Sequence, residues 1–191
     1  MEHGYTQDQA FEKTDFTAMP LPKGEYEHCR FDNCDFTEAE LSGVLFVDCV
    51  FTNCNLSLAR VQKTGFNQVQ FRHCKLLGLQ FADCNPIGLT LHFEHCLLDH
   101  ASFYRLKLKK TRFDHCKLEG TDFTETDLTE AVFDHCNLLS ATFDHTLLEK
   151  ADFRTAYQYS INPELNRIRK ARFSLPEVTG LLHKYDIRIA D

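Results

Sequence analysis

Nine cysteines and a row of histidines are the residues of this chain best suited to chemistry. Thiolates ligate soft metals, exchange disulfides or attack electrophiles. Their spacing argues against all three roles. Each cysteine stands two residues before the same register position of a five-residue beat. Cys29 precedes Phe31, Cys34 precedes Phe36, Cys49 precedes Phe51, Cys54 precedes Leu56 and Cys74 precedes Leu76. Cys96, Cys116 and Cys136 precede Leu98, Leu118 and Leu138 in the same way, and Cys84 precedes Pro86. A thiol at a fixed geometric step serves as a small apolar filler. If Cys34, Cys54, Cys74, Cys96, Cys116 and Cys136 share one column, neighbouring Cβ atoms lie about 5 Å apart, beyond the ~3.8 Å of a disulfide. Zinc needs four converging ligands, whereas a column points its side chains one way. An odd number of thiols also fits no disulfide framework.

His73, His95, His115 and His135 each precede a column cysteine, and Asn33 and Asn53 hold the same place earlier. They are expected to stack along one outer edge as an exposed ladder, with shared metal binding by adjacent imidazoles as the alternative. The chain has no Gly-rich phosphate loop, no Gly-x-Ser-x-Gly and no His-Glu-x-x-His. We therefore expect no enzyme, no cofactor, no metal site and no small-molecule substrate.

The elements that position these residues follow from the beat. Phe or Leu occupies its centre with few exceptions, from Phe11 through Phe81 in one phase and from Phe93 through Phe153 in a second. Two positions earlier stands a small residue, mostly Cys, Ala, Thr or Val. A period of five fits neither a helix nor a strand. It suits a chain that turns a corner after every unit, so that four units close a coil of about 20 residues stacked ~4.8 Å from the next. The step from Phe81 to Phe93 is twelve residues rather than ten, and Asn85-Pro86-Ile87-Gly88-Leu89 supplies the Pro and Gly of an outward bulge.

This pattern resembles that of the pentapeptide repeat proteins, over roughly residues 11–153. The resemblance implies an all-β solenoid, a right-handed quadrilateral β-helix filled by its own Phe and Leu side chains. We expect the β-helix over residues 1–173, with regular repeats at 11–153, a phase slip at 82–92 and an irregular last coil at 154–173. Residues 174–191 are expected to form a short helical cap. Ser174-Leu175-Pro176-Glu177 reads as a capping box, Val178, Leu181 and Leu182 as an apolar helix face, and Ile187 and Ile189 as a short strand. The cap covers the open end of the solenoid. With Leu175 and Tyr185, these apolar residues are also the candidate dimerisation element. The stretch Gly180–Ile189 is similar to endings of the Qnr and MfpA branch, in which a C-terminal element joins two rods end to end.

No apolar run of 18 residues is present, and Met1–Tyr5 lacks the start of a signal peptide. Nine reduced thiols fit a cytoplasmic location. Charge alternates in blocks: residues 26–59 carry −5, residues 60–112 carry +6 and residues 113–153 carry −8. The last block is the candidate partner surface: Asp114, Glu119, Asp122, Glu125, Asp127, Glu130, Asp134, Asp144, Glu149 and Asp152. An anionic surface suits recognition by a basic groove. The Qnr resemblance implies a DNA mimic that binds DNA gyrase or topoisomerase IV and protects it from quinolones. The alternative is a generic scaffold whose flat faces bind another protein. Direct nucleic-acid binding is disfavoured by the overall charge of −7.

Overall fold

With Phe or Leu every fifth residue and a small residue two places before it, two of every five side chains point inward and the chain turns after each unit. The computed structural model, which describes residues 4–190, shows the quadrilateral parallel β-helix that this demands. Residues 1–3 and Asp191 of the expected domains lie outside the described residues. The strands are β1 (Gly4–Gln7), β2 (Ala10–Glu12), β3 (Gly24–Glu27), β4 (Arg30–Asp32), β5 (Leu45–Val47), β6 (Val50–Thr52) and β7 (Gly65–Asn67). They continue with β8 (Val69–Arg72), β9 (Leu91–Glu94), β10 (Arg112–Asp114), β11 (Val132–Asp134), β12 (Asp152–Phe153) and β13 (Arg172–Phe173).

Face I is a nine-stranded parallel sheet ordered β2-β4-β6-β8-β9-β10-β11-β12-β13, and face IV carries β1-β3-β5-β7. Faces II and III are held by single bridges, such as Asp15–Asp35 and Gln80–Ser102. Partners lie twenty residues apart, as in Phe11–Phe31 and Phe93–Phe113. Across the slip the offset is 22, pairing Phe71 with Phe93. Within the expected 82–92 interval, Asn85 still pairs with Gly65, and Leu91 pairs with Val69. The two extra residues are therefore extruded in Pro86–Thr90, where Ile87 projects 78% exposed.

Phenylalanines fill the core as columns. Along face I the ring centroids of successive coils are 4.6–5.6 Å apart and stacked. Rings of adjoining faces meet edge-on, as Phe46 and Phe51 do at 5.3 Å and 77°. Both arrangements suit the aromatic quadrupole. All nine cysteines are free and buried, and the predicted column of six lies inside along face II.

The slot two residues before the centre is more than a space to fill. Cys54 Sγ donates to the Phe31 carbonyl at 3.3 Å, and Cys136 Sγ donates to that of Phe113 at 3.4 Å. Where threonine replaces cysteine the bond persists. Thr64, Thr126 and Thr146 hydroxyls donate at 2.8–2.9 Å to Leu41, Phe103 and Phe123 carbonyls. Each donor satisfies a buried carbonyl of the preceding coil. Burial pushes the Cys49 and Cys84 thiols up to about 12, so they are poor nucleophiles.

The C-terminus departs from expectation in detail. The capping box does not form: Glu177 takes the N-cap position without a side-chain cap bond, and its carboxylate instead accepts the Gln158 N–H at 3.0 Å. Two 3-10 turns, Val178–Leu181 and His183–Tyr185, replace an α-helix. Val178 and Thr179 are β-branched and Gly180 follows, so the segment is too short and too poor in helix formers. Ile187 and Ile189 lie in irregular chain rather than a strand. The lid nevertheless packs: Leu181 contacts the core, and the Gly180 carbonyl accepts the Ile161 N–H at 3.0 Å. Val178 and Leu182 are half-buried, whereas Leu175, Tyr185, Ile187 and Ile189 are exposed.

Candidate functional site

The histidine row assembles as predicted. His73–His95, His95–His115 and His115–His135 stack at centroid distances of 4.9, 4.8 and 4.6 Å. The row stands at a corner of the coil where the backbone turns left-handed. Every residue of the row has φ near +50°, as do Asn33 and Asn53. The chain must enter the left-handed region at this corner, and Asn and His tolerate it better than most residues. Stacked rings present their nitrogens in parallel, and among the described residues no group of three or more His, Cys, Asp or Glu is placed to hold a metal ion.

The ten candidate carboxylates do not form one surface. Asp114, Asp134 and Asp152 lie on face I and Glu119 on face II; Asp122, Glu125 and Asp144 lie on face III. Asp127, Glu130 and Glu149 lie on face IV. The twenty-residue coil also sets many of them against bases of the adjoining coil. Arg105 holds Glu125 through two bonds of 2.7 and 3.1 Å. Lys109 lies 3.3 Å from Asp127, and Lys150 lies 2.9 Å from Glu130. Arg112 pairs with Asp114 at 3.5 Å and also with Asp134, while Lys117 pairs with Glu119 at 3.0 Å. Asp152 sits between Arg154 at 2.8 Å and Arg172 at 2.9 Å. The basic block thus serves in part as counter-charge for the acidic one. The exposed pairs among these contribute ~0–1 kcal/mol each, and all of them reduce the local field.

Three of the ten escape this compensation. Asp122 accepts from the Ser102 hydroxyl at 3.3 Å and the Thr124 N–H at 2.9 Å. Asp144 is 2.8 Å from His145 Nδ1. Glu149 makes no ion pair among the described residues. Asp122 and Asp144 lie on face III of adjoining coils, in units 121–125 and 141–145, and Glu149 lies on face IV in the unit that follows Asp144.

Counting charge to Phe153 missed a basic collar. Arg154, Arg167, Arg169, Lys170 and Arg172 face only Glu164 in residues 154–173, so the last coil carries +4. It separates the acidic block from the C-terminal end. The collar was legible in the sequence once the last coil is counted as a coil. The predicted dimerisation residues are brought together in part: Leu182, Ile187 and Ile189 line one shallow hollow with Thr179, while Leu175 stands apart, 86% exposed. Depressions along the rod are open grooves, such as that bounded by Gln70, His92 and Arg112. No helix among the described residues is long and apolar enough to cross a membrane.

A family model of a pentapeptide repeat region matches residues 25–103 and 89–157. No curated protein sequence matches the chain significantly. Among solved structures, a trypsin-treated variant of QnrB1, described as a plasmid-mediated fluoroquinolone resistance protein, superposes with a TM-score of 0.58 at 16% identity. That match covers 98% of this chain and 100% of the other. Full-length QnrB1 gives 0.51 at 19% identity, covering 96% and 100%. At these identities the likeness establishes the fold.

Proposed function

The chain belongs to the pentapeptide repeat family, and from that premise we propose that it is a non-catalytic, protein-binding rod whose partner is a type II topoisomerase, DNA gyrase or topoisomerase IV. The observation that carries this reading is the likeness to QnrB1 along the full length of both chains. It is supported by a core filled with Phe and Leu, which leaves binding to the outer surface. The contact we assign to the enzyme is the uncompensated acidic corner of Asp122, Asp144 and Glu149, which presents carboxylates where duplex DNA would present phosphates. The rod acts as a homodimer joined through its exposed C-terminal Leu175, Tyr185, Ile187 and Ile189, in the cytoplasm, where its nine free thiols stay reduced.

A supercoiling assay with purified gyrase tests the proposal. Micromolar rod is expected to inhibit supercoiling or to rescue it from a quinolone, with the effect weakening as salt rises. Reversing Asp122, Asp144 and Glu149 to Lys is expected to abolish it, while reversing the already paired Asp134 leaves most of it. No effect of the wild-type rod at micromolar concentration on either enzyme would refute the partner. The ion pairing of the acidic block favours a second reading, a scaffold that binds a different protein through a flat face, and that reading would then stand.

A further inference from the structure

Face IV is divided by charge in a way that no other face shares, and the division is centred on the bulge. Nine quarter-coils make up this face, from 4–8 to 166–170, joined in parallel register by β1, β3, β5 and β7 and then by the bridges Lys107–Asp127, Asp127–Leu147 and Leu147–Arg167 among others. The fifth of the nine, residues 84–90, contains the extruded Pro86–Thr90. The four units before it carry Asp8, Glu25, Glu27 and Asp48 and neither Lys nor Arg, a charge of −4. In the four units after it, Lys107, Lys109, Lys110 and Lys150 are joined by Arg167, Arg169 and Lys170. Only Asp127, Glu130 and Glu149 oppose them, leaving +4.

Equal and opposite halves about a midpoint describe a self-complementary surface. We propose that face IV is a side-by-side, antiparallel docking surface for a second copy of this chain, related by a two-fold axis passing near Ile87. Such an axis sets the −4 half of each copy against the +4 half of the other. It is the isologous arrangement in which one patch serves both partners. At ~4.8 Å per coil each half extends roughly 19 Å along the rod. That exceeds the screening length of about 8–10 Å at physiological salt, so the halves act as distinct patches. The collar cations Arg167, Arg169 and Lys170 are exposed and make no ion pair among the described residues, so they are available to a partner. Ile87, among the most exposed apolar side chains described, stands where the axis would pass and supplies an apolar contact at the centre of a polar pair. A free polyanion would satisfy the basic half alone and leave the matching acidic half unexplained.

This association is independent of the end-to-end contact and of the topoisomerase reading. Being electrostatic it should vanish at high salt, whereas an apolar C-terminal junction should persist. Sedimentation velocity of the full chain at 50 and 500 mM NaCl separates them. We expect a low-salt species of twice the mass of the high-salt species. Two variants make the test specific. Arg167→Glu/Arg169→Glu/Lys170→Glu turns the basic half to −2, and Glu25→Lys/Glu27→Lys/Asp48→Lys turns the acidic half to +2. Each variant alone then has like-signed halves and should lose the salt-sensitive species. Mixed in equal amounts they should regain it as a mixed pair, because each half again meets its opposite. Circular dichroism checks that both variants remain folded. Absence of a salt-sensitive species in the wild type, or failure of the mixture to associate when both variants fold, would overturn the proposal. Binding of heparin by the wild type that is lost in the Arg167 variant, with no self-association, would also overturn it, assigning the basic half to a polyanion instead.

Discussion

Tyr159 shows how a single atom can lower the stability of an otherwise satisfied core. Its ring is buried against Phe153 and Phe173 at the closing coil, but its hydroxyl lacks a hydrogen-bond partner among the described residues. Desolvation raises its pKa to about 12. A buried, unmatched hydroxyl costs about 1–3 kcal/mol. Tyr159→Phe is therefore expected to stabilise the rod by about 1 kcal/mol, raising its melting temperature by about 2–4 °C; an equal or lower value in a thermal melt would show that the hydroxyl is satisfied in solution. Asp152 makes the opposite case. The Arg154 guanidinium beside it, with Arg172 behind, holds its carboxyl below the usual range. A depressed folded pKa gives stability that is present above the unfolded value near 4 and lost as pH falls through the lowered one. Asp152→Asn should cost about 1.5–3 kcal/mol at pH 7, with the gap between the two proteins closing below pH 4 in urea titrations. Much of this scale was legible beforehand. The cysteine slot identified the repeat and the histidine row was placed correctly. What five-residue counting could not give was the reason for either. Most Cys and Thr in the slot donate to a carbonyl one coil back, and the row stands at a corner where the backbone has positive φ.

At the scale of elements, the twenty-residue coil and the position of the slip were readable because both are arithmetic consequences of register. The cap was harder, since a capping-box sequence signals a helix only if the following residues can sustain one. Val178-Thr179-Gly180 cannot, and Glu177 is drawn instead to the Gln158 amide. Gly180 itself is fixed by contact: a Cβ there would run into the Tyr159 carbonyl oxygen and lie 2.7 Å from its ring. Gly180→Ala should force the lid away from the last coil and cost about 1–3 kcal/mol. Protease digestion would reveal this as faster cleavage after residue 173 with the repeats intact. Unchanged cleavage would mean that the lid is not held by this contact.

Across the whole molecule, a sequence with clear blocks of charge folds into a rod whose coils superpose those blocks. Bases at 105–112 come to lie over acids at 125–134, and what reads along the chain as a −8 segment becomes a ladder of pairs with a small free corner. Linear charge counting could not show this, because the 20-residue closure that aligns the charges is itself a tertiary fact. The same closure exposes the divided face IV and the basic collar, which makes the rod unlike a uniform polyanion. The proposed mimicry of DNA is therefore confined to Asp122, Asp144 and Glu149, and the most direct test is competition. Fluorescently labelled rod should bind purified gyrase or topoisomerase IV with micromolar or better affinity and be displaced by linear duplex DNA, while the Asp122→Lys/Asp144→Lys/Glu149→Lys variant should bind at least tenfold more weakly. Binding that DNA does not displace, or that survives the triple substitution, would contradict the account.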